Sequence, residues 1–167
     1  MKTVQLTKGK VALVDDRDYP LVSRYRWKAI RPRTIWYAQR NAWNGRRYVG
    51  LFMHRVVMAV GDGERVDHVN CDGLDNRRSN LRVATRSENA ANFRKSDGCS
   101  SRFKGVSRHR KSGRWRASIQ IRRRVVHLGY FDREEDAARA YDAAAVAVFG
   151  EFARTNFGER RASEAVA

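Results

Sequence analysis

The sequence predicts an α+β protein in which two small units are joined by a polar linker. Three observations carry this expectation. Short apolar runs, each broken by turn signals, dominate residues 1–60. From Val66 to Asn89, a strand-like start is followed by a loop dense in Asn, Asp and Gly, a second apolar run and a helix start. From Phe103 onward, three strand-like segments precede one alanine-rich helix.

The bulk charge narrows the class of partner. Thirty-five Lys and Arg oppose eighteen Asp and Glu, a net charge of +17. An excess of that size points to a polyanion, and nucleic acid is the expected partner, because each phosphate neutralised releases condensed counterions. The hydrophobic fraction of 42% is that of a globular chain rather than a disordered one. Two cysteines, Cys71 and Cys99, are too few for a disulfide framework or a four-thiolate zinc site. No apolar run reaches membrane length and no signal-peptide core opens the chain, so a soluble, cytoplasmic protein is expected.

In chain order, Val11 to Val14 reads as a strand stopped by Asp15-Asp16. Residues 35–40 and 47–52 flank Asn44-Gly45, a dipeptide that takes two positive φ angles in a tight hairpin turn. No carboxylate stands between Tyr19 and Gly61, while Arg24, Arg26, Lys28, Arg31, Arg33, Arg40, Arg46, Arg47 and Arg55 accumulate. With Trp27, Trp36, Tyr37 and Trp43 interleaved, the stretch reads either as a DNA-facing ribbon or as core aromatics rimmed by arginines. The tryptophans are assigned to the core and some arginines to DNA. Residues 53–60 read as a short helix, with His54 as a packed or hydrogen-bonded side chain.

Thr85-Arg-Ser-Glu88 is a capping box that starts a helix and places Asn89 in its first turn. Residues 94–102 are polar, with Gly and Ser, and form the linker. Beyond it, Trp115, Ala117, Ile119 and Ile121 alternate with Arg116, Ser118, Gln120 and Arg122, the period of a strand with one apolar and one polar face. Asp132-Arg-Glu-Glu135 carries a cap-plus-acid signature for the last helix, which runs to Gly150. Gly98 to Phe131 holds no acid, so the polar face of this sheet is cationic and is the natural DNA surface. Residues 159–167 read as a tail.

Cleaving a phosphodiester requires an activated water, charge stabilisation on the phosphate and help for the leaving oxygen. The central stretch offers one near-neutral base, His68, and oxygen donors in Asp67, Asn70, Asp72, Asp75, Asn76, Asn80 and Asn89. The alternative is a structural Asx-rich loop, in which Asp72-Gly73 and Asp75-Asn76 are turn formers.

Asp67-His68, the Asn/Asp/Gly loop, Asn80-Leu81-Arg82 and Asn89 resemble the HNH motif of phage-type homing endonucleases, as do Leu6 to Lys10, Val14 to Asp16 and Met53 to Arg55. The resemblance implies a ββα-metal core over about residues 66–93 within a nuclease domain, 1–93. It also implies Mg²⁺ (or Mn²⁺) bound by Asp67 and Asn89, His68 as the general base and Asn80 as the catalytic-loop brace. The zinc-stabilised variants of that family use cysteine pairs that are missing here, so no structural zinc is expected. Adjacent strand residues face opposite ways, so Asp67 and His68 can share a site only where their strand distorts or ends.

Residues 103–158 resemble the plant ethylene-response-factor (APETALA-type) DNA-binding domain through Lys104-Gly-Val106, Trp115-Arg-Ala117, His127-Leu-Gly-Tyr-Phe131, Ala137 to Ala144 and Asn156-Phe157. This implies a three-stranded antiparallel sheet packed on one helix and laid in the major groove. By position, Lys104, Ser107, His109, Ser118, Gln120 and His127 stand at DNA-contact sites. Ser107 and His127 depart from the plant pattern, so the plant target does not carry over. Arg108, Arg110, Arg116, Arg122 and Arg124 are assigned to phosphates, although plain solvated charge accounts for any one of them equally well. Together the resemblances imply a Mg²⁺-dependent, monomeric, site-directed DNA endonuclease of homing type. The rival is a non-catalytic DNA-binding regulator that uses the nuclease core as a scaffold.

Overall fold

The computed structural model describes residues 1–95 and 98–158. The expected tail, 159–167, lies outside the described residues, as do positions 96 and 97 of the expected linker. The chain divides into two compact units, Met1–Ala84 and Thr85–Ala167. The helix that the sequence grouped with the nuclease core therefore falls in the second unit.

In the first unit, β1 (Lys2–Gln5) pairs antiparallel with β2 (Val11–Val14), and a short helix α1 (Tyr19–Val22) follows with Pro20 in its first turn. Strands β3 (Lys28–Ile30), β4 (Tyr37–Trp43) and β5 (Tyr48–Phe52) make an antiparallel meander. The β4–β5 turn departs from the tight hairpin expected of Asn-Gly. It spans Asn44 to Arg47, closed by Asn44 N–H donating to the Arg47 carbonyl at 3.1 Å, and only Gly45 has positive φ. The Asn44 side chain accepts from the Arg46 and Arg47 amides and so supplies locally what a second positive φ would have done.

Helix α2 (Met53–Met58) buries Met53 and Val57, one turn apart, together with His54. Strands β6 (Arg65–His68) and β7 (Leu81–Ala84) pair in the register Asp67↔Arg82 and His68↔Leu81. Around Met53, Val57, Val14, Val22 and Trp27 a single apolar cluster forms, closed by Val66 and Leu81 from the last hairpin. The long loop between β6 and β7 is tied to β2: Leu13 N–H donates to the Leu74 carbonyl, and the Leu13 carbonyl accepts from Asn76 N–H, each at 2.8 Å. A Cβ at Gly73 would meet the Trp36 carbonyl at 2.4 Å and the Tyr37 ring at 2.6 Å, so only glycine lets this loop lie against β4.

The second unit opens with α3 (Arg86–Asn92), and both halves of its predicted capping box form, Glu88 N–H to the Thr85 hydroxyl and Thr85 N–H to the Glu88 carboxylate. Strands β8 (Val106–Arg108), β9 (Trp115–Ile121) and β10 (Arg124–Phe131) form an antiparallel sheet in the order β10-β9-β8, packed on α4 (Glu134–Phe149). Strand β8 begins at Val106 rather than Phe103. Gly105 precedes it at φ +76, where a Cβ would lie 1.9 Å from the Tyr141 ring. The expected alternation of β9 holds: Ala117 and Ile119 are buried against α4, while Arg116 and Gln120 are exposed. The β9–β10 turn is made by Arg122 and Arg123, both at positive φ (46° and 69°).

Asp132 does not cap α4. The N-cap position is Arg133, without a side-chain bond, and Asp132 accepts from the Arg114 guanidinium at 2.8 Å instead. A charge-assisted partner from the neighbouring strand outcompetes a neutral backbone amide. Glu134, Glu135 and Asp136 still place negative charge at the first turn. Asn156 fastens the C-terminal segment, accepting from Lys104 N–H at 2.7 Å and donating to Asp142 at 2.9 Å. No helix among the described residues is long and apolar enough to cross a membrane.

Substituting Gly105→Ala should destabilise the second unit by roughly 3 kcal/mol, the upper part of the range for overpacking, because φ and the Tyr141 ring both oppose a methyl group. Thermal unfolding followed by circular dichroism checks this, and an unchanged melting temperature would contradict the close approach.

Candidate functional site

The site residues of the first unit gather where β6 ends. His68 is the last residue of that strand, so the requirement that Asp67 and His68 stand at a strand end is met. Beyond it, Val69 N–H donates to the Asn80 carbonyl and Cys71 N–H to the His68 carbonyl, each at 2.9 Å, with Cys71 at φ +60. The Asn80 side chain, itself buried, spans the loop: its oxygen accepts from Asn70 N–H at 3.0 Å and its NH₂ donates to the Asp75 carbonyl at 2.8 Å. Asn70 and Asp72 then accept from the Asp72 and Leu74 amides, two successive Asx turns. Arg77 forks onto the Asp75 carboxylate at 2.8 and 2.7 Å. Burial pushes the Asp75 carboxyl up, but the Arg77 hydrogen bonds and charge outweigh it and hold the group below its ordinary value.

His68 is 6% exposed and lies in an aromatic cluster with Tyr37, Phe52 and His54. The His54 and His68 rings stand perpendicular, with centroids 5.0 Å apart, and His54 stacks on Phe52 at 5.3 Å. Nε2 of His68 faces the side-chain oxygen of the fully buried Asn76 at 3.4 Å. The Asn76 amide has its orientation set by the Leu74 carbonyl, to which its NH₂ donates at 3.1 Å. Its oxygen is therefore the acceptor that faces His68, an arrangement that suits the tautomer with the imidazole proton on Nε2. Asn76, read from the sequence as an oxygen donor or a turn former, thus orients the imidazole. Tyr37 carried no local signal, since it arrives through tertiary packing.

Desolvation lowers both histidines. For His68 the hydrogen bond to Asn76 and the nearby charges of Asp67, Asp72 and Asp75 work the other way without overturning it. His54 falls to about 3, through burial first and the His68 and Arg55 charges second, and its buried Nδ1 has no hydrogen-bond partner among the described residues. The packed reading of His54 is right, and the hydrogen-bonded one fails at this atom. Desolvation, with the charges of Cys71 and Asp67, raises the Tyr37 phenol.

Asp67 is buried and held by its cross-strand neighbour Arg82, whose Nε and Nη2 donate to one carboxylate oxygen at 3.0 and 2.9 Å. Among the described residues no three His, Cys, Asp or Glu side chains cluster as a metal site. A divalent ion here would have to rest on a carboxylate, amide oxygens, water and a substrate phosphate. That donor set fits a hard ion such as Mg²⁺, which keeps part of its water shell. Asn89 lies in the second unit, half-buried in the first turn of α3.

In the second unit the outer face of the sheet carries Ser107, Arg116, Ser118, Gln120 and His127, with Arg116 between Ser107 and Tyr130 in register, and Ser118 beside His127. Tyr130 lies between the imidazoles of His109 and His127, at 4.9 and 4.6 Å. Arg110, Arg122 and Arg124 are exposed, and Arg108 reaches over the Trp115 ring at 5.4 Å. Lys104 has a structural use, its ammonium donating to the Ala91 carbonyl at the end of α3.

The lowered histidines make the first unit acid-sensitive. Below pH 6.5 the unfolded chain binds protons that the folded chain refuses. Stability present above pH 6.5 is therefore lost as pH falls; for His54 the loss continues toward about 3, by roughly 1.4 kcal/mol per pH unit, and the lowered His68 adds to it in the same direction. Urea unfolding at pH 7 and pH 5 should show this fall, and His54→Phe should make it shallower. Equal slopes in the two proteins would refute the assignment.

Comparison with known proteins places both halves. The HNH endonuclease family model matches residues 52–91, which include His54, Asp67, His68, Asn80 and Asn89, and the AP2 domain model matches residues 101–151. An uncharacterized HNH endonuclease of Acanthamoeba polyphaga mimivirus is 31% identical over 157 residues, covering 89% of this chain and 76% of the relative. APETALA2-like protein 2 of Oryza sativa subsp. indica is 48% identical over 60 residues, 35% of this chain but only 14% of the relative. The AP2-like ethylene-responsive transcription factor ANT of Arabidopsis thaliana is 42% identical over 83 residues, 46% of this chain and 15% of the relative. Both domain types imply DNA as the partner. The chain belongs to the HNH endonuclease family and carries a C-terminal AP2 DNA-binding domain.

Proposed function

We propose that this chain is a Mg²⁺- or Mn²⁺-dependent, site-directed DNA endonuclease of homing type, with residues 1–93 cutting and residues 103–158 holding flanking sequence. The observation that carries the reading is the place of His68, a buried imidazole at a strand end whose Nε2 faces the Asn76 side-chain oxygen. A general base requires a lone pair on a nitrogen that does not wander, and in this reading Nδ1 supplies it. In the step itself, His68 Nδ1 takes the proton of a water as its oxygen attacks phosphorus in line, and the bond to the 3′ oxygen breaks. Asn80 keeps the loop closed behind the imidazole by tying Asn70 to Asp75. A divalent ion resting on Asp67 would stabilise the charge that grows on the leaving oxygen. The exposed Arg116, Gln120 and His127 on the outer face of the AP2 sheet face DNA in this reading, and Arg124, beside the β9–β10 turn, reaches a flanking phosphate.

The second reading, a DNA-binding regulator with a silent nuclease core, is favoured by one contact. Arg82 occupies an oxygen of the Asp67 carboxylate that a metal would use.

Supercoiled plasmid carrying candidate target DNA, incubated with Mg²⁺ or Mn²⁺, should be nicked or linearised by the wild-type chain. His68→Ala should slow this by a factor of roughly 10²–10⁴, the usual contribution of a general base. Plasmid left intact by the wild type with every divalent ion would favour the regulator. Because burial lowers the His68 pKa, the base form persists in mild acid, and the acidic limb of the rate profile should fall below pH 6.5. On the DNA-holding side, Arg116→Ala with Arg124→Ala should weaken binding across sequences and reduce the slope of log affinity against log salt by about 2. An unchanged slope removes the phosphate role of these arginines.

A further inference from the structure

The tryptophans of the first unit part ways. Trp27 is in the core, with its indole N–H donating to the Val22 carbonyl at 2.8 Å. Trp36 is half-buried, with Lys8, Lys10 and Arg31 over its ring at 5.3, 5.4 and 5.8 Å. Trp43, expected in the core, is 59% exposed, and its cross-strand partner Tyr48 is 72% exposed. Their rings meet edge to face at 5.3 Å, a contact of the two aromatics with each other at the turn end of the β4–β5 hairpin.

The tip beyond them is built rather than slack. Asn44 closes the turn with its backbone and accepts from two amides with its side chain, which leaves Arg46 and Arg47 exposed in the turn between Trp43 and Tyr48. Among the described residues neither arginine makes an ion pair. The chain supplies no carboxylate between Tyr19 and Gly61 to neutralise them. A protein partner would be expected to meet aromatic rings with apolar surface, but the bare cations beside them call for a polyanion. Flat rings next to unpaired guanidiniums match one ligand, a nucleic-acid strand whose bases offer π faces and whose phosphates offer charge.

We propose that the Trp43–Tyr48 tip is a stacking prong for unstacked bases of DNA, with Arg46 and Arg47 on the flanking phosphates. This rests on the reading of the chain as a DNA-acting protein, but not on cleavage. The prong lies away from the proposed chemistry. Tyr37, which packs on His68, begins β4 and Trp43 ends it. Six strand residues span about 20 Å, or roughly six nucleotides at about 3.4 Å each. The prong therefore addresses bases to one side of the reacting phosphodiester and rewards a duplex that opens there.

The full chain, in EDTA so that nothing is cut, is titrated against two labelled duplexes of one sequence, fully paired or with a three-nucleotide mismatched bubble. The wild type should bind the bubble at least tenfold more tightly. The double variant Trp43→Ala/Tyr48→Ala should lose that preference while its affinity for paired DNA changes less than threefold. Trp43→Phe/Tyr48→Phe should keep most of the preference, since any aromatic face stacks. Loss of the bubble preference with an unchanged circular dichroism melt supports the prong. A bubble-to-paired ratio equal in wild type and the double alanine variant overturns it. The same equal ratio accompanied by reduced self-association of the variant in sedimentation would assign the surface to a protein contact instead. Because cutting is absent throughout, a silent nuclease centre would leave this result standing.

Discussion

The side-chain amide of Asn80 holds the site of the first unit together. A loop of this length, rich in Asx residues, has no strand partner of its own and would otherwise sample many turn combinations. One buried amide joins its first backbone N–H to a carbonyl five residues further on, and two Asx turns and the Arg77–Asp75 fork then have fixed ends to work between. Leu13 anchors the far side through two backbone bonds. The Asn76 amide that faces His68 belongs to the same loop, its NH₂ bonded to the Leu74 carbonyl. Buried polar networks of this kind are worth having only when every member is satisfied, because a single loss leaves several desolvated groups without partners.

Charge has a second role in the molecule. The carboxylates that the chain does possess are mostly used internally, as with Asp18 on Arg78, Asp67 on Arg82, Asp75 on Arg77 and Asp142 on the Asn156 segment. Acids spent on such bonds do little to offset the surface, and the net positive charge is left to the solvent-facing arginines of both units. The two units use it differently. One presents a sheet with Arg116 on its outer face and Arg110, Arg122 and Arg123 in its turns, and the other a hairpin tip where arginines adjoin aromatic rings.

What the sequence discloses here is what is local. The period-two alternation of β9, the Thr85–Glu88 capping box and the stop at Gly150 all depend on neighbours a few residues apart, and each stands in the structure. Where a distant partner competes, local reading fails. Asp132 looks like a helix cap, but Arg114 reaches it across the sheet. Trp43 looks like core, but residue type does not reveal whether anything covers a ring at a hairpin end. The residues that the motif nominated in the first unit, Asp67, His68 and Asn80, do lie around one loop. Their surroundings could not be read in advance, because Tyr37, His54, Asn76 and Arg82 join them from β4, α2, the loop and β7, brought in by strand register and packing.

The β9–β10 turn shows how such a protein balances durability against use. Arg122 and Arg123 both sit in the left-handed region, where Asn-Gly would rest with less strain, typically by 1–2 kcal/mol per residue. A chain selected only for resistance to heat would have little reason to keep arginine at both places. Their presence marks this corner as one where robustness has been traded for cationic reach, and it identifies a simple handle for an engineer. Swapping in Asn-Gly should harden the domain while making it a poorer ligand for polyanions, so that the two properties can be tuned against each other at a single turn.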